Sequence, residues 1–547
     1  MSPEHLCLAL MFAGLLGGIL SGVPVMLVLL GVPLLAALGG AAVGVFDLAL
    51  LQAFPSRVFG LSGNTLLIAV PLFVAMGLLL ERSRAAERML ETMAALLGGS
   101  RTSLALSVLL VSTLIAASTG IIGATIVMLG LISLPAMRRA GLSDGLSSGL
   151  ICASGTLGQI IPPSIVLILL GDQIANSYLE AQHAAGNFAP EPVSVADLFA
   201  GALLPGLLLV VLYGAYVGVR ASVGRGARAI DAGAAPSTAA RAGSGMDHGE
   251  GDGRHASHPS ADGERAGAAV TGRHLLTVFL PPLLLIGSVL GSILAGVATP
   301  TEAAAVGAAG ALLLAGAVQE GSRSARPIAL GTLGVVIALL LAETFLPGGT
   351  RGVGAGRAAA AIGVVLVGAG LLAHAVLLGR RGVLRPVLLD TVMVSAMVFG
   401  IIIGASMLSL VFRGFGGDEL VEELLLAMPG DELGTLALVM AVVFLLGFVL
   451  EFVEIIFIVV PIVGPVLLAG AFDPVWVAVL FAMNLQTSFL TPPFGFALFY
   501  FRAVSPPSLS TLGLYRAVLP FVALQLLALC LVARFPRLAT WLPELLS

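Results

Sequence analysis

The sequence predicts an all-α polytopic membrane protein built on an inverted-topology repeat, with two re-entrant hairpins and two broken helices. Three observations carry this prediction. The 547 residues are 58% hydrophobic and 10% charged, with a mean hydropathy of +1.08, whereas soluble domains carry about 25% charged residues. Two otherwise apolar runs are each interrupted by adjacent prolines, Pro162-Pro163 and Pro492-Pro493. Each run follows an apolar segment longer than the roughly 20 residues that one straight helix needs to cross a bilayer.

Apolar segments fall at 6–21, 24–44, 65–80, 104–135, 146–172, 197–219 and, in the second half, at 274–296, 299–318, 328–346, 358–378, 390–412, 436–468, 475–501 and 514–533. Ser2-Pro3-Glu4-His5 lacks the basic start of a secretory signal, so the first segment is expected to remain as a helix. The chain therefore divides into a first membrane half (1–220), a hydrophilic linker (221–272) and a second membrane half (273–547). The linker is rich in Gly, Ala, Ser and Asp with no apolar period, and reads as disordered. Its histidines, His248, His255 and His258, belong to that solvated tract rather than to a metal site. Surface helices are expected over 81–100 and over Gly416–Leu426, where charges mix with Leu and Met just ahead of the over-long segments.

Residues 104–135 hold 32 residues without a charge. As one helix they would reach about 48 Å, against a hydrocarbon core of about 30 Å. Ser118-Thr119-Gly120 and Gly123-Ala124-Thr125 suit a turn near the middle. Arg101, Arg138 and Arg139 flank both ends, so both ends belong on the cytoplasmic face. Residues 436–468 repeat the pattern with acidic flanks, Asp431, Glu432 and Asp473, and lean to the opposite face. From Ser118 to Pro162 is 44 residues and from Glu451 to Pro492 is 41, so the halves keep the same order at nearly the same spacing. A proline inside a helix removes a hydrogen bond and clashes with the preceding turn. Broken backbone at membrane depth is tolerated only where protein or a cavity surrounds it, and paired breaks in two halves point to a bound solute or ion.

Composition also excludes some functions. The chain contains no lysine, so all 26 basic residues are arginine and no Walker A loop exists. No HExxH motif, and no nucleophilic serine in a G-x-S-x-G elbow, suggests an intramembrane enzyme; the spacing itself recurs over 141–149. Cys7, Cys152 and Cys530 have no metal or redox spacing.

The stretches Ala153-Ser154-Gly155-Thr156-Leu157-Gly158-Gln159-Ile160-Ile161-Pro162-Pro163-Ser164, Thr299-Pro300-Thr301-Glu302-Ala303-Ala304-Ala305 and Asn484-Leu485-Gln486-Thr487-Ser488-Phe489-Leu490-Thr491-Pro492-Pro493 resemble the large membrane subunit of TRAP transporters, the tripartite ATP-independent periplasmic transporters. The resemblance covers nearly the whole chain outside the linker. It implies an elevator-type carrier of the bacterial inner membrane that works with a small four-helix membrane subunit and a periplasmic solute-binding protein. It also implies Na⁺ as coupling ion, no further cofactor and a small organic acid as substrate, with membrane lipid around the chain and no nucleic acid. Segments 328–346 and 358–378 depart from the pattern as an inserted pair of spans, and Glu451 and Glu454 make the second hairpin unusually acidic.

Within that frame, carbonyls freed at a break suit Na⁺, and half-helix N-termini suit a carboxylate. One ion is expected at Ser118, Thr119 and Gly120 with Ser154, Gly155 and Thr156, and a second at Glu451, Thr487, Thr491 and Pro492. Thr125, Pro163, Ser164, Asn484 and Pro493 are expected to face the substrate. For each hydroxyl the competing role is a bond back to its own helix. An acid inside a span is costly, which leaves a stand-alone H⁺- or Na⁺-coupled carrier, with protons on Glu451 and Glu454, as the alternative. Thr299-Pro300-Thr301-Glu302 reads better as a helix cap than as a site.

Overall fold

The computed structural model describes residues 2–83, 88–90, 92–93, 100–120, 122–231, 272–318, 327–329, 331–332, 355–426, 431–493 and 495–546. His248, His255, His258, most of the linker and most of the inserted span 328–346 lie outside the described residues. Among the described residues every regular element is a helix, and nine helices are long and apolar enough to cross a membrane. Many of their side chains face outward as exposed Leu and Val, such as Leu35, Val43 and Val365. That is the surface expected where lipid, not water, is the solvent. The chain is a multi-pass membrane protein.

The first over-long segment is two helices, Arg101–Thr119 and Ile122–Arg139. Gly120 between them has φ +62°, the left-handed conformation that a residue without Cβ adopts at least cost, and its N–H closes the first arm on Ala116 O at 3.1 Å. At the other end Arg101 Nε donates to Ala140 O at 3.0 Å. The two ends therefore lie side by side, which a single helix would not allow. The second segment is likewise a hairpin, Asp431–Leu446 and Phe452–Leu468, turning just before Glu451. Its base is closed where Gly470 meets Glu432; a methyl group on that glycine would sit 2.7 Å from the carboxylate.

Both proline pairs break a helix. Asp144–Thr156, capped by Ser143 Oγ on Leu146 N (3.3 Å), passes through a 3-10 turn at Leu157–Gln159 and resumes as Ile165–Ala184. Pro474–Leu490, capped by Asp473 on Trp476 N (2.8 Å), breaks and resumes as Phe496–Arg502. Pro162-Pro163 and Pro492-Pro493 are both cis.

The repeat is visible in how the halves interlock. Ile165–Ala184, past the first break, packs on the second arm of the second hairpin; Phe496–Arg502, past the second break, packs on the second arm of the first hairpin. Asp144–Thr156 packs on Thr511–Arg534, and Pro474–Leu490 packs on its counterpart Val195–Asp231. Exchanging the halves thus maps these contacts onto one another. The approach is closest at Gly149, where a Cβ would stand 2.4 Å from the Ala517 carbonyl oxygen. Around this unit, Thr65–Arg82 packs on Pro300–Val318, and Val25–Val43 on Leu384–Gly414.

Two boundaries differ from the sequence reading. Val195–Asp231 is one helix, so the stretch read as linker from 221 begins as its continuation. Glu81 and Arg82 belong to the end of the apolar helix Thr65–Arg82, where the arginine reaches Asp390 on Leu384–Gly414; most of the rest of the surface helix expected over 81–100 lies outside the described residues. Gly417–Leu426 does form a helix where one was expected.

Candidate functional site

The two breaks and the two hairpin turns come together through the interlocking just described. At the first break, Gly158 lies against Ala116 of the first hairpin arm; a Cβ there would be 2.3 Å from the Ala116 carbonyl oxygen. Gly155 lies against Ile126 of the other arm. At the second break, Ser488 stands against Gly447 at the turn of the second hairpin. Across the halves, the ring of Tyr500 covers Gly123 beside the first turn.

The breaks differ in access. Ser154, Thr156, Gln159 and Ser164 are fully buried, with Pro162 and Pro163 buried between them. Thr491 and Pro492 are half-buried and Pro493 is exposed. The first break is closed in this conformation and the second opens towards the surface.

Most of the hydroxyls singled out from sequence bond to backbone. Ser154 Oγ donates to Ile151 O (3.4 Å), Thr156 Oγ1 to Ala153 O (2.8 Å) and Ser164 Oγ to Gln159 O (2.8 Å). Thr487 Oγ1 donates to Met483 O and Thr491 Oγ1 to Thr487 O, both at 2.7 Å. A hydroxyl that donates backwards still has oxygen lone pairs to offer, so these bonds fix the oxygens in place, except that at Thr156 the lone pairs already accept from Gln486 Nε2 (3.5 Å) and Gln525 Nε2 (3.4 Å). Asn484 Nδ2 donates to Met440 O at 2.7 Å and so ties the second broken helix to its own hairpin. Pro493 O accepts from Tyr515 Oη at 2.9 Å, which takes up one carbonyl freed by the break. Thr125 is fully buried on the second arm of the first hairpin. Ser118 and Thr119 end the first arm, directly before the Gly120 turn.

Glu451 and Glu454 form a capping box. Glu451 is the N-cap of Phe452–Leu468, and its backbone N–H donates to Glu454 Oε2 at 3.1 Å. The reciprocal arrangement satisfies donors that a helix start leaves free. Among the described residues, no ion pair joins either carboxylate to an arginine. Glu302 has a similar place: its carboxylate accepts from Thr299 N (2.8 Å) and Thr299 Oγ1 (2.9 Å).

Some polar groups at the site carried little sequence signal. Gln159 and Gln486 are buried at the breaks, and Gln525 is buried on Thr511–Arg534, a lone amide in an apolar run. Asp172, about two turns past the first break, accepts from Asn64 Nδ2 at 3.0 Å. The isolated acid in Leu169-Leu170-Gly171-Asp172 was the available hint.

Known permeases resemble the chain over most of its length. The chain is 26% identical to the C4-dicarboxylate TRAP transporter large permease protein DctM of Vibrio cholerae serotype O1, over 95% of this chain and 96% of that one. It is 24% identical to the ectoine TRAP transporter large permease protein TeaC of Halomonas elongata, over 95% and 97%. The sialic acid large permease SiaM of Vibrio cholerae is 24% identical over 89% and 88%. Among solved structures, the YdaH transporter of Alcanivorax borkumensis aligns with a TM-score of 0.49 at 13% identity, over 91% of this chain and 90% of that one. The profile described as "Tripartite ATP-independent periplasmic transporter, DctM component" matches residues 8–538. The chain belongs to that DctM family of TRAP transporter large permeases.

Proposed function

We propose that this chain is the large subunit of a Na⁺-coupled secondary transporter of the bacterial inner membrane. It imports a small organic acid delivered by a periplasmic binding protein and works with a small membrane subunit. The observation that carries this reading is the interlocked pair of hairpins and broken helices. Each half presents one backbone break beside one hairpin turn, a geometry that supplies oxygen ligands to a cation without a dedicated carboxylate cage.

In this reading the first ion lies at the Gly120 turn and the Ser154–Thr156 helix end. The second lies at the Glu451 turn with Thr487, Thr491 and Pro492. Thr125, Pro163, Ser164, Asn484 and Pro493 lie nearest the substrate, whose carboxylate meets the half-helix N-termini. The more exposed second break suits exchange of ions and solute with the surface. The interlocked hairpins and broken helices would move together as an elevator against the surrounding helices. One charge crossing 100 mV is worth about 2.3 kcal/mol. Two sodium ions then supply about 4.6 kcal/mol, roughly a thousandfold accumulation of a neutral solute.

The test is uptake into proteoliposomes holding this chain and a small subunit, with binding proteins and labelled C4-dicarboxylate, sialic acid or ectoine outside. Uptake that needs both an inward Na⁺ gradient and a binding protein supports the proposal. Uptake driven by H⁺, or without any binding protein, overturns it in favour of a stand-alone carrier.

A further inference from the structure

Glutamine is rarely fully buried, because an amide taken from water costs free energy unless it is bonded. Gln159, Gln486 and Gln525 are nevertheless at 0%, 0% and 1% exposure. Two of them converge on one atom. Gln486 Nε2 donates to Thr156 Oγ1 at 3.5 Å and Gln525 Nε2 to the same oxygen at 3.4 Å, while that hydroxyl donates to Ala153 O at 2.8 Å. The amide orientation follows from this pattern. With its proton on Ala153 O, the hydroxyl has only lone pairs left, so nitrogens and not oxygens must face it.

Thr156 ends the helix before the first break. Gln486 lies five residues before Thr491 at the second break, and Gln525 lies on the long helix that packs against Asp144–Thr156. One hydroxyl thus joins the two breaks. Packing alone does not require this, because methionine of similar length would fill the same space without the cost of amide burial. Gln486 Oε1 and both amide atoms of Gln159 are buried without a hydrogen bond among the described residues.

We infer that Thr156, Gln486 and Gln525 form a clamp that makes the two broken helices one rigid unit, so that an ion at one break orders the other. The glutamines are positioning residues in this scheme. Both lone pairs of the Thr156 hydroxyl are taken by amides, so Thr156 serves an ion through its backbone carbonyl. The inference rests on the Na⁺-coupled reading above.

The experiment is thermal unfolding of the full-length chain in lipid nanodiscs, titrated with NaCl against choline chloride at constant ionic strength. An ion that binds only the folded chain raises the midpoint with concentration. The wild type is expected to titrate with a Hill coefficient near 2, as coupled sites do. Q486M and Q525M are expected to fold, to need about tenfold more Na⁺ for half the shift and to lose cooperativity, with a Hill coefficient of about 1. T156V, which removes the shared hydroxyl, should match them. Changes in the choline midpoint that leave the shape of the Na⁺ titration intact would mean a structural role only, and overturn the clamp. Overlapping titrations of Q486M, Q525M and a Na⁺-responsive wild type also overturn it, and leave Na⁺ coupling standing. A wild type whose midpoint ignores Na⁺ overturns the coupling reading and the clamp's role with it.

Discussion

Glu454 offers the sharpest separation between a carboxylate that caps a helix and one that carries charge through the transport cycle. It is 4% exposed, and its Oε2 accepts the Glu451 N–H at 3.1 Å. Glutamine at this position keeps a carbonyl oxygen in the same place and fits the capping-box pattern equally well, but it cannot ionise. Alanine removes the acceptor and leaves the Glu451 N–H buried at the start of Phe452–Leu468. A hydrogen bond of this type is worth about 0.5–1.5 kcal/mol net, and an orphaned buried donor costs about 1–3 kcal/mol. E454A is therefore expected to lose about 1–2 kcal/mol of stability, and E454Q about 0.5 kcal/mol or less. The assay pairs thermal unfolding with Na⁺-driven uptake in proteoliposomes. If capping is the role of Glu454, E454Q retains at least half of wild-type uptake. Loss of uptake in a fully folded E454Q would refute the reasoning and give the charge itself a role, as the proton-carrier alternative requires.

Other substitutions test the packing that holds the site. Replacing Gly149 with valine drives a side chain into the Ala517 carbonyl, 2.4 Å from the new Cβ, and into Phe521. Backbone cannot move aside cheaply, so a loss of about 3 kcal/mol or more is expected, read as poor recovery of folded protein after membrane extraction. R101A removes the donor to Ala140 O that closes the first hairpin base. The group is half-buried, so about 1 kcal/mol is expected, checked by faster protease cleavage near Gly141. Arg413 bridges Glu180 at 2.8 Å and Asp418 at 3.3 Å, linking the helix past the first break to Leu384–Gly414. These groups are a third or more exposed. A double-mutant cycle of R413A with E180A should therefore give a coupling of about 0.5 kcal/mol that shrinks in high salt; a coupling above 2 kcal/mol would contradict a solvent-screened pair.

The sequence by itself determined what depends on local rules. Membrane class follows from too few charges over too many apolar residues, and the breaks follow from proline, whose missing N–H acts on its own turn. The hairpins follow from length, because 32 uncharged residues exceed one crossing; of the two stretches expected to turn, 118–120 holds the Gly120 turn, whereas Gly123-Ala124-Thr125 are helical in the second arm. Tertiary structure decided the rest. Two acids three residues apart fit a shared functional face and a capping box equally well, and only the turn placed before Glu451 shows that they make the box. Equal proline pairs gave no hint that the first break is sealed and the second open, since burial depends on helices that arrive from elsewhere in the chain. The partners of Thr156 lie 330 and 369 residues away. No local pattern encodes such a meeting: a side chain's own sequence fixes what it can donate or accept, and the packing of distant helices fixes which atom it finds.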